Sequence, residues 1–172
     1  MDNNTETPPD HFANPLTATL VAFLRGIGLT IRAGDLPDPT FLPGMQIDHG
    51  TLVVDEARLR YPGDLLHEAG HLAVATPDRR ADMPADAGAD AAEEMMAIAW
   101  SYAALVHLQL DPTVVFHPDG YKGDSASLID NFTHGRYFGV PMLQWVGMTL
   151  EPPRARERGV PPYPHMLSWL RP

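Results

Sequence analysis

Apolar positions recur at three- and four-residue intervals in several stretches of this chain and gather into short runs between glycines and prolines in others. Over 15–25, Leu16, Leu20, Phe23 and Leu24 share one helical face, Pro15 suits a first turn, and Gly26 and Gly28 stop the helix. Short runs of strand character follow at 29–32, 45–47 and 51–54. The last two flank Asp48-His49-Gly50, which has the composition of a hairpin turn, so a small antiparallel sheet is expected. Pro62-Gly63-Asp64 then opens a helix to about residue 75, with Asp64 as its N-cap and Pro77 beyond its end. After a polar stretch through Pro84, the Ala-rich run 90–110 predicts the longest helix, closed by Asp111-Pro112. A shorter helix is expected over 124–134, and a last turn over 165–170.

This pattern predicts an α+β fold: one mostly helical domain with its small sheet ahead of the second helix. The domain is expected over 15–150, between a polar, flexible arm at 1–14 and a Pro/Arg-rich tail at 151–172. A chain of 172 residues is long enough to bury about two-thirds of its unfolded surface around one core. Composition narrows the partners. A net charge of −10 repels a phosphate backbone, and the one dense basic cluster, Arg154, Arg156 and Arg158, is interrupted by Glu157 and reads as solvated. Nucleic acid is therefore not expected. No stretch approaches the ~20 apolar residues of a membrane span and the N-terminus lacks the basic start of a signal peptide, so a soluble cytoplasmic protein is expected. Cysteine is absent, which leaves His, Asp and Glu as the side chains to hold a metal.

The candidate chemistry lies in His67-Glu68-Ala69-Gly70-His71. Residues four apart in a helix lie one above the other, so His67 and His71 present two imidazoles to one point. Glu68 is carried beside that point, where it can take a proton from a metal-bound water. Leu65, Leu66, Leu72, Ala73 and Val74 make the surrounding face apolar, which buries the pair, and an unpartnered buried pair is costly. Gly70 leaves room on the helix surface at a propensity cost of about 1 kcal/mol relative to Ala. A third ligand is required, and the position ten residues after His67 is Pro77, which cannot ligate. Glu93 and Glu94, early in the next helix, are both available: Glu94 leads the stripe Ile98, Ser101, Leu105, and Glu93 the stripe Ala97, Trp100, Ala104, His107. His117, Tyr121, His134 and Tyr137 are the candidate donors to a developing oxyanion. Met95, Met96, Trp100, Met142, Trp145 and Met148 are expected in the core, and His49 in an exposed turn.

The strand 51–55, the leader Arg60-Tyr61-Pro62, the HEAGH helix and Glu94-Met95-Met96-Ala97-Ile98-Ala99 together resemble the core of the zincin peptidases, especially the small ImmA/IrrE-like branch, over roughly residues 44–105. That resemblance implies a zinc ion held by His67, His71 and Glu94, Glu68 as general base, and a peptide or protein substrate. The Asn or Asp usual near the third ligand is absent, with Met96 and Ala97 there instead. A second resemblance, of residues 67–74 and 91–94, is to the peptidase domain of FtsH-type proteases. It implies a later aspartate, Asp124 or Asp130, as third ligand. Zinc-dependent hydrolysis of a peptide bond is the function expected. The alternatives are a zincin-like metal-binding module that regulates or binds proteins without catalysis, and a structural helical protein whose histidine pair is satisfied by its neighbours.

Overall fold

The computed structural model of the chain describes residues 11–37, 39–85 and 90–172. Most of the expected arm, residues 1–10, lies outside the described residues. Of its remainder, Phe12 is buried, and the Asn14 side chain caps the first helix by accepting from the N–H of Leu16 at 2.9 Å and of Thr17 at 3.2 Å. That helix, α1 (Pro15–Gly26), buries Thr17, Leu20, Val21 and Leu24.

Three short strands follow: β1 (Thr30–Ala33), β2 (Met45–Asp48) and β3 (Thr51–Val54), in the spatial order β1-β3-β2. The β2–β3 hairpin turns on His49 and Gly50, whose φ values of 44° and 75° are both left-handed, as a two-residue type I′ turn requires. The sheet is mixed rather than antiparallel, because β1 pairs with β3 in parallel. The hairpin is set by its own turn. The connection after β1, by contrast, carries the chain past β3 to its far side before β2 begins, so β1 and β3 run the same way.

The second helix, α2 (Asp64–Val74), has Gly63 rather than Asp64 at its N-cap. Asp64 is its first residue, and its carboxylate is engaged by His117 at 2.9 Å instead of by the helix's own N–H groups. A short helix not expected from the pattern, α3 (Pro77–Ala81), uses Pro77 in its first turn. It brings the Arg80 guanidinium back to the end of α2, where it donates to the carbonyls of Leu72 at 2.7 Å and Ala75 at 3.0 Å. These are among the carbonyls a helix C-terminus leaves without a partner. The long helix α4 (Ala91–Leu108) is capped by Asp90 and is buried without a break from Met96 to Leu105, as befits a helix at the centre of a domain. It is followed by α5 (Ser125–Thr133), α6 (Val140–Trp145) and α7 (Pro152–Arg158).

The segment expected as a Pro/Arg-rich tail packs onto the core. Pro152 and Pro153 start α7, where a missing N–H costs nothing, and the exposed Arg154, Arg156 and Arg158 leave Ala155 facing inward. Tyr163 is buried and donates to the Ala99 carbonyl at 2.8 Å; Trp100 donates to the Trp169 carbonyl at 2.9 Å; the Arg171 N–H reaches the Ala73 carbonyl at 2.8 Å. The C-terminal residues therefore lie across both α2 and α4. Of the expected core residues, Trp145 is 90% exposed and Met95 is at the surface, while Trp100 and Met148 are fully buried. No helix among the described residues is long and apolar enough to cross a membrane.

The contact that matters most for the site is α2 against α4. A Cβ added at Gly70 would sit 2.9 Å from the Ala97 carbonyl oxygen and 3.2 Å from its Cα, so the two backbones are in direct contact there. Ser101 closes the same seam, its hydroxyl donating to the Ala97 carbonyl at 2.7 Å with the Leu66 carbonyl at 3.3 Å. Gly70→Ala should therefore destabilise the fold despite the gain of about 1 kcal/mol in helix propensity, because overpacking a tight contact costs about 1–3 kcal/mol. Urea unfolding of the purified variant measures it, and a midpoint above that of the parent chain would contradict this packing.

Candidate metal centre

The two histidines of α2 and a carboxylate from the first turn of α4 meet at one point. His67 Nε2 and His71 Nε2 are 3.3 Å apart, His71 Nε2 is 3.2 Å from Glu94 Oε2, and His67 Nε2 is 3.6 Å from Glu94 Oε1. Donor atoms on a tetrahedral ion with arms of about 2.0–2.2 Å stand about 3.3–3.6 Å from one another. Each pair of side chains thus approaches that spacing, His71 through one Glu94 oxygen and His67 through the other, and one donor atom from each of the three lies within 4.8 Å of the others, so they can coordinate a divalent ion such as zinc. Among the described residues they are the group of His, Asp and Glu side chains placed to do so. The other ring nitrogens, the buried Nδ1 atoms of both histidines, have no hydrogen-bond partner among the described residues.

Glu93 and Glu94 meet different surroundings. Glu93 is 4% exposed, lies 3.6 Å from His71 Nδ1, and forms an ion pair with Arg79 through both guanidinium nitrogens. Glu94 stands on the other side of the ring, at Nε2, with a more exposed side chain. Asp124 is exposed at the start of α5, and Asp130 pairs with Arg136 and His134 on the surface, so neither joins the histidines. The burial stripes of α4 could not separate the two glutamates, because both stripes are inside. Arg79, which neutralises one of them, carries no motif in the sequence.

Burial dominates the electrostatics. It holds His67 down to about 4, with the neighbouring His71 acting the same way and Glu94 opposing. Burial also opposes the charge on His71, but the Glu94 hydrogen bond and the nearby carboxylates outweigh it and raise that residue. The His71 hydrogen bond draws Glu94 below the usual carboxylate range. Glu68 is pushed up to about 7 by burial, with His71 drawing it down and the charges of Asp64 and Glu94 adding to the rise. It lines a pocket bounded by Thr40, Phe41, Leu42, Met45 and Gln46, that is, by β2 and the loop before it. Phe41 stands at this pocket 94% exposed.

The four candidate oxyanion donors part company. His134 belongs to the surface pair with Asp130, and Tyr137 packs its ring on Tyr163 at 4.6 Å. His117 stacks on Tyr61 at 3.7 Å and is bound to Asp64, one turn ahead of Glu68, so it braces α2 rather than facing the donor set. Tyr121 alone stands at the histidines, its ring 5.5 Å from that of His67 and nearly perpendicular to it.

The pKa of Glu68 makes a testable statement about the metal-free chain. Its folded value, about 7, exceeds the unfolded value of 4.5, so its contribution to stability is intact below pH 4.5 and is lost as the pH rises through 7. Glu68→Gln should therefore be more stable relative to the parent at pH 8 than at pH 4.5. Urea unfolding with chelator at both pH values measures this, and an equal difference at both would show that the carboxyl is not held neutral by burial.

Comparison of the chain with protein-family models, with curated proteins and with solved structures finds no match.

Proposed function

We propose that this chain is a zinc-dependent peptidase in which His67, His71 and Glu94 hold the ion and Glu68 is the general base. The observation that carries this reading is the 3.2–3.6 Å convergence of two imidazoles and one carboxylate, which leaves the fourth tetrahedral position without a protein ligand among the described residues. Zinc in such a site supplies Lewis acidity, polarising a carbonyl oxygen and acidifying water. Its chemistry fits the donors available, since nitrogen and oxygen ligands without thiolate suit a divalent ion of this size.

The rest is work for the chain's own residues. Glu68, one residue on from His67 on α2, can take the proton of the attacking water as its oxygen bonds to the carbonyl carbon. It then returns that proton to the amine as the C–N bond breaks, so water is consumed and an acid and an amine are released. Glu93, paired with Arg79, stands 3.6 Å from His71 Nδ1, on the side of the ring from which an outer carboxylate orients a ligating imidazole. An extended peptide would reach Glu68 along β2, a sheet edge bordering the pocket that Glu68 lines, and would pair with that edge as an added strand. A ligand from the helix after HEAGH is also what the likeness to the small ImmA/IrrE-like zincins implies, and not what the FtsH-type alternative implies.

The purified protein should carry about one zinc per chain. His67→Ala, His71→Ala and Glu94→Ala should each lose most of it by elemental analysis, and retention of zinc in all three would refute the ligand set. Glu68→Gln should keep the zinc and abolish cleavage of a mixture of internally quenched peptides, because an amide cannot accept the proton of water. Turnover at the parental rate would remove Glu68 from the mechanism. A parent that holds zinc yet cleaves nothing would favour the non-catalytic metal-binding module instead.

A further inference from the structure

The loop that carries Tyr121 is built at a cost. Tyr121 and Lys122 take φ values of 53° and 54°, two consecutive side-chain-bearing residues in the left-handed region, where sterics disfavour them. The Tyr121 hydroxyl is buried and has no hydrogen-bond partner among the described residues, although a lone buried hydroxyl destabilises a fold. The surroundings hold this conformation firmly. Ser125 donates to the carbonyls of His117 at 2.6 Å and Gly120 at 3.3 Å, the Gly120 N–H donates to the His117 carbonyl at 3.0 Å, and His117 is tied in turn to Asp64 of α2.

A phenol has one proton to give. Tyr121 holds that proton in a buried hydroxyl, with its ring against that of His67. None of the neighbouring carboxylates or imidazole nitrogens accepts it. The acceptor that this site lacks and that a substrate would bring is a carbonyl oxygen, which gains negative charge as water adds to its carbon.

We infer that Tyr121 is a catalytic residue of this site, its hydroxyl donating to the carbonyl oxygen of the bound peptide and holding it more tightly as the oxyanion forms. The inference rests on the peptidase reading above. It assigns a role that no motif in the sequence marks, and it accounts for both the unsatisfied hydroxyl and the strained backbone that delivers it.

Tyr121→Phe removes only the hydroxyl. In the zinc-loaded protein it should keep its metal, lower kcat on a cleaved quenched peptide by about 10²–10³-fold, and leave KM within about threefold, because the bond strengthens only in the transition state. The phosphinic analogue of the same peptide, which presents a tetrahedral anion, should bind the variant more weakly by a comparable factor in calorimetry. Tyr137→Phe, at a hydroxyl away from the site, should change neither quantity. A kcat within threefold of the parent, a loss confined to KM, or undiminished binding of the phosphinic peptide would each overturn the assignment while leaving the peptidase reading intact. Should the variant fail to fold, the parent chain crystallised with the phosphinic peptide decides: Tyr121 Oη should lie about 2.7–3.1 Å from a phosphinate oxygen, and a longer separation overturns the role. A parent that cleaves no peptide in the mixture overturns the peptidase reading and this inference with it, an outcome distinct from all the others.

Discussion

Two helix backbones touch where Gly70 of α2 meets Ala97 of α4, and the rest of the molecule is arranged around that contact. Only at this separation does the first turn of α4 stand close enough to the HEAGH face for the Glu94 carboxylate to reach both imidazoles. A side chain at residue 70 would push the axes apart and with them the donors. The glycine gives up helix propensity locally, and the geometry it allows is an inter-helix one.

The surroundings of this seam hold both helices to it. Arg80 takes up the terminal carbonyls of α2, while Tyr163, Trp169 and Arg171 from the end of the chain bond to the backbone or indole of α4 and to the last turn of α2. His117 and Asp64 fix the other end of α2. A site built on two helices pinned at their ends is rigid in the sense that matters for coordination, where ligands must be held to fractions of an ångström.

Charge is distributed just as closely. Three carboxylates gather around two imidazoles, and each meets a different environment: Glu93 is neutralised by Arg79, Glu94 faces the two ring nitrogens, and Glu68 is desolvated beside a pocket. Burial raises the proton affinity of Glu68 while the His71 hydrogen bond lowers that of Glu94. In the proposed reaction those different surroundings would suit Glu94 to ligate, Glu93 to stand behind His71 and Glu68 to act as base.

Much of this was legible in the chain itself. The i, i+4 spacing places His67 and His71 on one face whatever the tertiary structure, because helix geometry alone decides it. The Asp48-His49-Gly50 turn marked the β2–β3 hairpin for the same reason, its conformational demand being local. The choice between Glu93 and Glu94 was not local: in a helix buried on all sides both lead apolar stripes, and a rotation of about 100° separates the residue that faces both Nε2 atoms from the one that faces Nδ1 of His71. The resemblance to zincins pointed to Glu94; the α2–α4 crossing is what brings it to the histidines. The parallel pairing of β1, the Arg79 partner of Glu93 and the return of the proline-rich C-terminus across α2 and α4 all join residues far apart in the chain. No periodicity records such contacts, since they depend on which surfaces are left to be buried once the helices and strands have formed.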